Sequence, residues 1–407
     1  MSAPEAPAQR LAVVAGQWFD GECRHGLSTL QAIDGELVEV AGGDHGATLA
    51  AQGWQVEYGA FLMPTLVDAH VHLFLDGQPT DAALRSAHLK QAVDVLTETA
   101  RASARQTLAR GVTLVRDAGD RHGINHKVRA EAMPCGSGLA RVRSGGLGIK
   151  RAKRYGAFMA TDVDDDASIR SSVRELAAVN DEIKLILTGI IDFDAGAVAD
   201  EPQFTAQAAR LVVETAHACG RKVFAHCSGA KGLAVAVAAG VDAIEHGFFM
   251  DRDTLAKMRD QQLAWTPTFC PVHFQWAQSG AVGWSANAVG NLRRILDDHA
   301  AHVRLAHERG VPLLVGTDAG SMGVRHGLAV VDEMQRFVEA GLPLDAVLAA
   351  ATGAPRRHFG GLPRSLAPGA AFEALLLDDT MTADLAALRT PRRIWTSAAA
   401  DAAGEAR

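Results

Sequence analysis

Short apolar runs recur along the chain, separated by longer stretches in which alanine, leucine and charged residues mix at helical spacing. The first runs, at 11–14 and 37–40, are divided by turns such as Asp34-Gly35 and Gly42-Gly43, and they predict a small β-layer. The rhythm changes near Phe61. A run over 63–74 predicts a strand, an alanine-rich amphipathic stretch over 80–110 predicts a helix, and Gly111 leads into a compact strand at 112–117. Strands are then expected at 139–144, 183–189, 222–226, 241–246, 264–268 and 311–318. Helices are expected between them at 166–180, 205–219, 230–239, 253–261 and 291–309. Near the C-terminus the pattern returns to short strands at 370–377 and 393–396.

From 63 onward this makes eight β segments, each followed by a helix or a long loop. Such alternation predicts an α/β fold, a (β/α)8 TIM-like barrel rather than an open doubly wound sheet. No Gly-x-Gly-x-x-Gly opens a helix after the first strand, which removes the main reason to prefer a dinucleotide fold. The expected organisation is a barrel over 61–360 and a small discontinuous β-domain built from 1–60 and 361–407.

Composition narrows the partners. The 407 residues are 48% hydrophobic with a formal net charge of −7, which suits a globular chain with a large core and disfavours nucleic acid. The basic cluster Lys150-Arg-Ala-Lys-Arg154 follows Ser144-Gly-Gly-Leu-Gly148 and is read as a solvated loop, with binding of an anionic substrate as the alternative. Five cysteines without CxxC spacing argue against a disulfide framework. With no signal-peptide pattern at the start and no apolar run long enough to cross a membrane, a cytoplasmic location is expected.

The chemistry gathers at strand ends. On a strand, His70 and His72 share a face and aim two imidazoles at one point, as a divalent metal requires; polar alternation in a half-buried strand is the alternative. His226, His246 and Asp318 also end expected strands, where a barrel carries its functional groups. Taken singly, they also read as a core histidine, a turn cap and a helix N-cap. Lys184 lies in an apolar strand. It either snorkels out of the barrel wall or is buried with a lowered pKa, so that its neutral amine can react with CO2 to give an anionic carbamate.

Together, Asp68-Ala-His-Val-His72, Lys184 in Ile-Lys-Leu-Ile-Leu-Thr-Gly, Ala225-His226, Glu245-His-Gly247 and Gly316-Thr-Asp-Ala-Gly320 resemble the metal motifs of the amidohydrolase superfamily. The closer likeness is to its prolidase-like branch, related to imidazolonepropionases and to enzymes cleaving Xaa-Pro, Xaa-Arg and N-acyl amino acid bonds. Leu114-Val-Arg-Asp-Ala-Gly119 is similar to that branch's second strand, and Leu366-Ala-Pro-Gly369 resembles the entry to its composite β-domain, although Phe372-Glu-Ala replaces the usual Ala-Asp-Leu pattern.

The resemblance implies a binuclear metal hydrolase. His70, His72 and Asp318 would hold one divalent ion, His226 and His246 a second, and carboxylated Lys184 would bridge them, with zinc as the first choice of metal. Two close cations lower the pKa of a shared water, and Asp318 would pass its proton to the leaving nitrogen. The expected reaction is hydrolysis of an amide bond in an N-acyl amino acid, dipeptide or related small molecule, and the family likeness suggests a homo-oligomer. Mononuclear ring opening of the imidazolonepropionase type is the alternative. Deaminases of this fold carry a glutamate three residues after the fifth-strand histidine, where this chain has Gly229. A non-catalytic scaffold would be expected to lose ligands, and none is missing. For the substrate, Arg143, Tyr155, His122, His273 and His326 lie in loops that could meet a carboxylate or a carbonyl oxygen. Arg143 and Tyr155 flank the glycine loop and favour a carboxylate-bearing substrate.

Overall fold

The computed structural model describes residues 8–198, 201–360 and 366–396, so 1–7, 361–365 and 397–407 of the expected β-domain lie outside the described residues. Strand Leu66–Val71 pairs in parallel with Val112–Asp117, which pairs with Arg141–Ser144. A second parallel arc runs through Gly148–Lys150, Ile183–Ile186, Val223–Cys227, Ala243–His246 and Ala264–Thr266, with Ala160–Asp162 on its edge. Helices follow the strands, among them Val93–Leu108, Asp166–Ala177, Ala206–Ala218, Ala230–Ala239, Arg252–Gln261 and Ala286–Glu308. This is a TIM-barrel-like α/β fold.

The ladders do not join into one closed sheet. The expected eighth strand at 311–318 is present only as a single parallel bridge, Leu313 to Trp265, followed just beyond it by another, Ala319 to Val71; the two span the gap between the arcs. Its regular pairing is interrupted chemically. Pro312 has no N–H to give, and the Thr317 N–H donates to the Asp68 side chain (2.9 Å) instead of to a strand. Gly316 permits the close passage, because a Cβ there would stand 2.8 Å from the His70 nitrogen.

Strand alternation sorts the side chains. Ile183, Leu185, Val223, Ala225 and Ile244 join the large core beneath the helices, whereas Val67, Ala69, Leu114, Phe224 and Ala243 form a smaller cluster inside the barrel. Lys184, between Ile183 and Leu185, belongs to the inner face. It does not snorkel outward.

Strands from both ends of the chain form one further sheet, in the order Arg393–Trp395, Ala374–Leu377, Gln55–Pro64, Arg10–Phe19, Ser28–Ile33 and Glu36–Gly42. The strand expected from Met63 onward is divided accordingly. Met63 and Pro64 pair with Leu375 and Ala374, and the barrel strand starts only at Leu66. The stretch at 80–110 is likewise two helices, Ala82–His88 and Val93–Leu108. Lys150 is buried against Asp162 (2.5 Å) at a strand end, so the basic cluster is not wholly a solvated loop.

Candidate metal centre

Residues from five separated segments converge where the strands end. His70 Nε2 and His72 Nε2 stand 3.6 and 3.8 Å from Asp318 Oδ1, and the ligand atoms of these three residues lie within 4.8 Å of one another. The His246 ring is centred 5.0 Å from that of His70 and 4.6 Å from that of His226. All four histidines are buried. Two of the convergent residues have left-handed backbone, His246 with φ 67° and Asp318 with φ 55°. Strict alternation would turn His246 away from the inner face occupied by its neighbour Glu245; the left-handed turn brings it back.

Each imidazole is held by its other nitrogen. His70 Nδ1 is 2.5 Å from Glu245 Oε2, His72 Nδ1 is 3.0 Å from the Gly119 carbonyl, and His246 Nδ1 is 2.8 Å from Thr268 Oγ1. His226 Nε2 is 3.4 Å from the Gly189 carbonyl. Arg116 braces Glu245 (2.5 Å) and donates to the Ala69 carbonyl (2.7 Å). Asp68 accepts from Thr317 N and Oγ1, tying the first strand to the segment that carries Asp318. Such outer bonds fix ring orientation and ligand basicity. Glu245, Arg116 and Thr268 are functional candidates that sequence reasoning did not single out; a glutamate and an arginine in the middle of apolar strands were the available signal.

The donors suit divalent cations. Burial keeps all four imidazoles neutral, holding His72 and His226 down to about 3 and His70 and His246 well below the usual histidine range. Burial also pushes the Asp318 carboxyl up to about 6. His70 Nε2 is fully buried without a hydrogen-bond partner among the described residues, and so is Lys184 Nζ. Two stranded polar atoms beside one carboxylate need a ligand to satisfy them. Lys184 lies 4.9 Å from the centre of the Phe224 ring, and burial lowers its pKa to about 8. Gly148 leaves room for its stem, since a Cβ there would be 3.1 Å from Lys184 Cβ.

Above these residues opens a cavity of about 310 Å³. Tyr155 lines it, its ring centred 5.3 Å from that of His226. The other loop residues expected to bind substrate do not line it. Arg143 is drawn away by Glu182 (2.8 Å), and His122 is exposed. His273 faces a second cavity beside Arg336 (2.9 Å), and His326 is buried against the Leu75 carbonyl (3.1 Å). Arg85, which was not foreseen, supplies the cationic group of the wall.

The Amidohydrolase family profile matches residues 61–396, the span that contains every one of these groups. The chain belongs to the amidohydrolase family. An uncharacterized protein of Mycobacterium tuberculosis is 29% identical over 333 residues, covering 80% of this chain and 78% of that one. Ochratoxinase of Aspergillus niger is 25% identical over 272 residues, covering 65% of this chain and 54% of its own. Among solved structures, a Xaa-Pro dipeptidase with methionine in its active site superposes with a TM-score of 0.80 at 23% identity, covering 96% of this chain and 99% of that one. For this amidohydrolase, membership supports a metal-dependent hydrolase acting on carbon–nitrogen bonds.

Proposed function

We propose that the chain is a binuclear metal amidase that hydrolyses the amide bond of an N-acyl amino acid, a dipeptide or a related small molecule. His70, His72 and Asp318 would hold one divalent ion and His226 and His246 the other, with Lys184, as a carbamate, supplying negative charge between them. Zinc is the first choice for a histidine-rich set. One observation carries the reading: Lys184 Nζ is buried, unpartnered and close enough to all four histidines to depress their basicity. An ammonium there opposes cation binding, whereas a carbamate supplies negative charge and two oxygens at the same place.

When bound, the metals supply an acidified water and polarise the substrate carbonyl. The protein's own residues do the rest. Asp318 Oδ1 faces the two first-strand histidines while Oδ2 accepts from Ser321 Oγ (2.9 Å), so the carboxylate is held in one orientation. Asp318, whose carboxyl burial pushes up to about 6, can take a proton from water and return it to the leaving nitrogen. Tyr155, whose hydroxyl burial keeps protonated, can donate to a carbonyl oxygen in the cavity. Phe158 and Phe248 give the cavity apolar flanks.

The ochratoxinase and dipeptidase likenesses support amide chemistry here, and a soluble cytoplasmic homo-oligomer completes the reading. Among the described residues, no helix is long and apolar enough to cross a membrane. A second reading, a mononuclear ring-opening hydrolase, draws on the tight cluster of His70, His72 and Asp318 alone. Hydrolysis of a panel of N-acyl amino acids, dipeptides, cyclic imides and lactones tests the assignment. Turnover of linear amides is expected. Turnover confined to cyclic imides favours the mononuclear reading, and turnover confined to lactones overturns both.

A further inference from the structure

We infer that Arg85 selects a carboxylate on the substrate, an inference that rests on the amidase reading above. Among the described residues lining the cavity, Arg85 is the one lysine or arginine, and Asp318 is the one carboxylate. Asp318 is committed to the metal ligands. Arg85 reaches the cavity from helix Ala82–His88, held by neutral oxygens: Nη1 donates to the Asp76 and Pro79 carbonyls (3.0 and 3.4 Å) and Nη2 to the Gly320 carbonyl (2.8 Å). A guanidinium carries five N–H donors, so these three bonds leave capacity for a ligand.

No carboxylate pairs with Arg85 within ion-pair distance among the described residues, although Asp76 and Asp318 lie within electrostatic reach. Its positive charge is therefore fixed in place without a direct ion pair. The carbonyls that fix it come from the segments that follow His72 and Asp318, two of the expected metal ligands. A charge pre-oriented in this way binds an anion with little loss of side-chain freedom. The remaining wall is largely apolar, with Phe158, Phe193, Phe248, Val272 and Met322. The geometry thus fits an amide with an apolar side chain whose free carboxylate lies beneath Arg85.

The alternative is a mechanical role, Arg85 acting only as a clamp between two loops. A matched pair of probes separates the roles: N-acetyl-L-phenylalanine and N-acetyl-L-phenylalaninamide, followed by acetate release and, where neither is cleaved, by calorimetric binding to the metal-loaded protein. The wild type is expected to favour the acid, by roughly 10–100-fold in kcat/KM, as a charge-assisted pair provides. Arg85→Gln should bring the acid-to-amide ratio close to unity, and Arg85→Lys should restore part of it. A wild type without preference, or a ratio unmoved in Arg85→Gln while both probes suffer equally, overturns the assignment and leaves the clamp. Should acetate be released from neither probe, amide hydrolysis fails for this class. Calorimetry then decides Arg85 separately: tighter binding of the acid, lost in Arg85→Gln, upholds it, and equal binding of acid and amide overturns it.

Discussion

Asp318 combines three properties in one residue: a carboxylate oxygen facing the imidazoles of His70 and His72, a second oxygen fixed by Ser321, and a left-handed backbone with φ 55°. Such a conformation costs a non-glycine residue about 1–3 kcal/mol and persists where the surroundings enforce it. Asp318→Asn keeps the size and one ligand oxygen but removes the proton acceptor. Turnover should fall by roughly 10²–10⁴-fold, and a variant with near-normal turnover and its metals in place would take Asp318 out of the mechanism. Glu245 acts one step further out, between His70 Nδ1 and Arg116. Replacing it with glutamine keeps the shape but loses the charge that orients the ring, so metal affinity measured by chelator competition should weaken by about 10–100-fold. Unchanged affinity would reduce Glu245 to a packing role. At this scale the sequence was most informative about which side chains converge and least about what holds them. His70, His72, His226, His246 and Asp318 were visible as strand-end residues, but the partner of Arg143 lies 39 residues away in Glu182. A pairing over that separation has no local signature.

Between elements, the centre depends on how the segment carrying Asp318 meets the first strand. Asp318 N donates to the His70 carbonyl (2.7 Å) and Ala69 N to the Val315 carbonyl (2.9 Å), with Gly316 at the point of closest approach. Gly316→Ala would put a methyl 2.4 Å from Thr266 Cγ2 and 2.8 Å from the His70 nitrogen. The expected cost is about 1–3 kcal/mol of stability by chemical denaturation, together with weaker metal binding; a variant normal in both would show that this approach is not tight. The alternation of strand and helix was legible here, with helix Ala230–Ala239 and strand Val112–Asp117 matching their expected bounds. Two features were not. The 80–110 stretch breaks at 89–92 without glycine or proline, and its first helix is tied by Arg85 and His88 to the Asp76 and Phe74 carbonyls, contacts with no local signature. The closing segment reads as a strand by hydropathy, but its Thr317 N–H is taken by a side chain.

Across the whole molecule, the expected ligands come from both parallel arcs and from the segment that bridges them. His70 and His72 belong to the first arc, Lys184, His226 and His246 to the second, and Asp318 to the closure. Metal bound there would act as a cross-brace, and ligand linkage requires tighter or more concentrated metal to stabilise the fold further. Chelation should therefore lower the melting temperature, and restored metal should raise it in a concentration-dependent way; a melting temperature indifferent to metal would argue against a site spanning the arcs. The central claim is that Lys184 serves as an anionic bridge between two ions. Metal content of purified Lys184→Arg, measured beside wild type and Lys184→Glu, tests it most directly. Wild type should carry about two equivalents per chain. Arginine cannot form a carbamate and leaves a cation at the bridge, so that variant should lose at least one equivalent, while the carboxylate of Lys184→Glu should retain more. A fully metallated Lys184→Arg protein would contradict the bridging lysine.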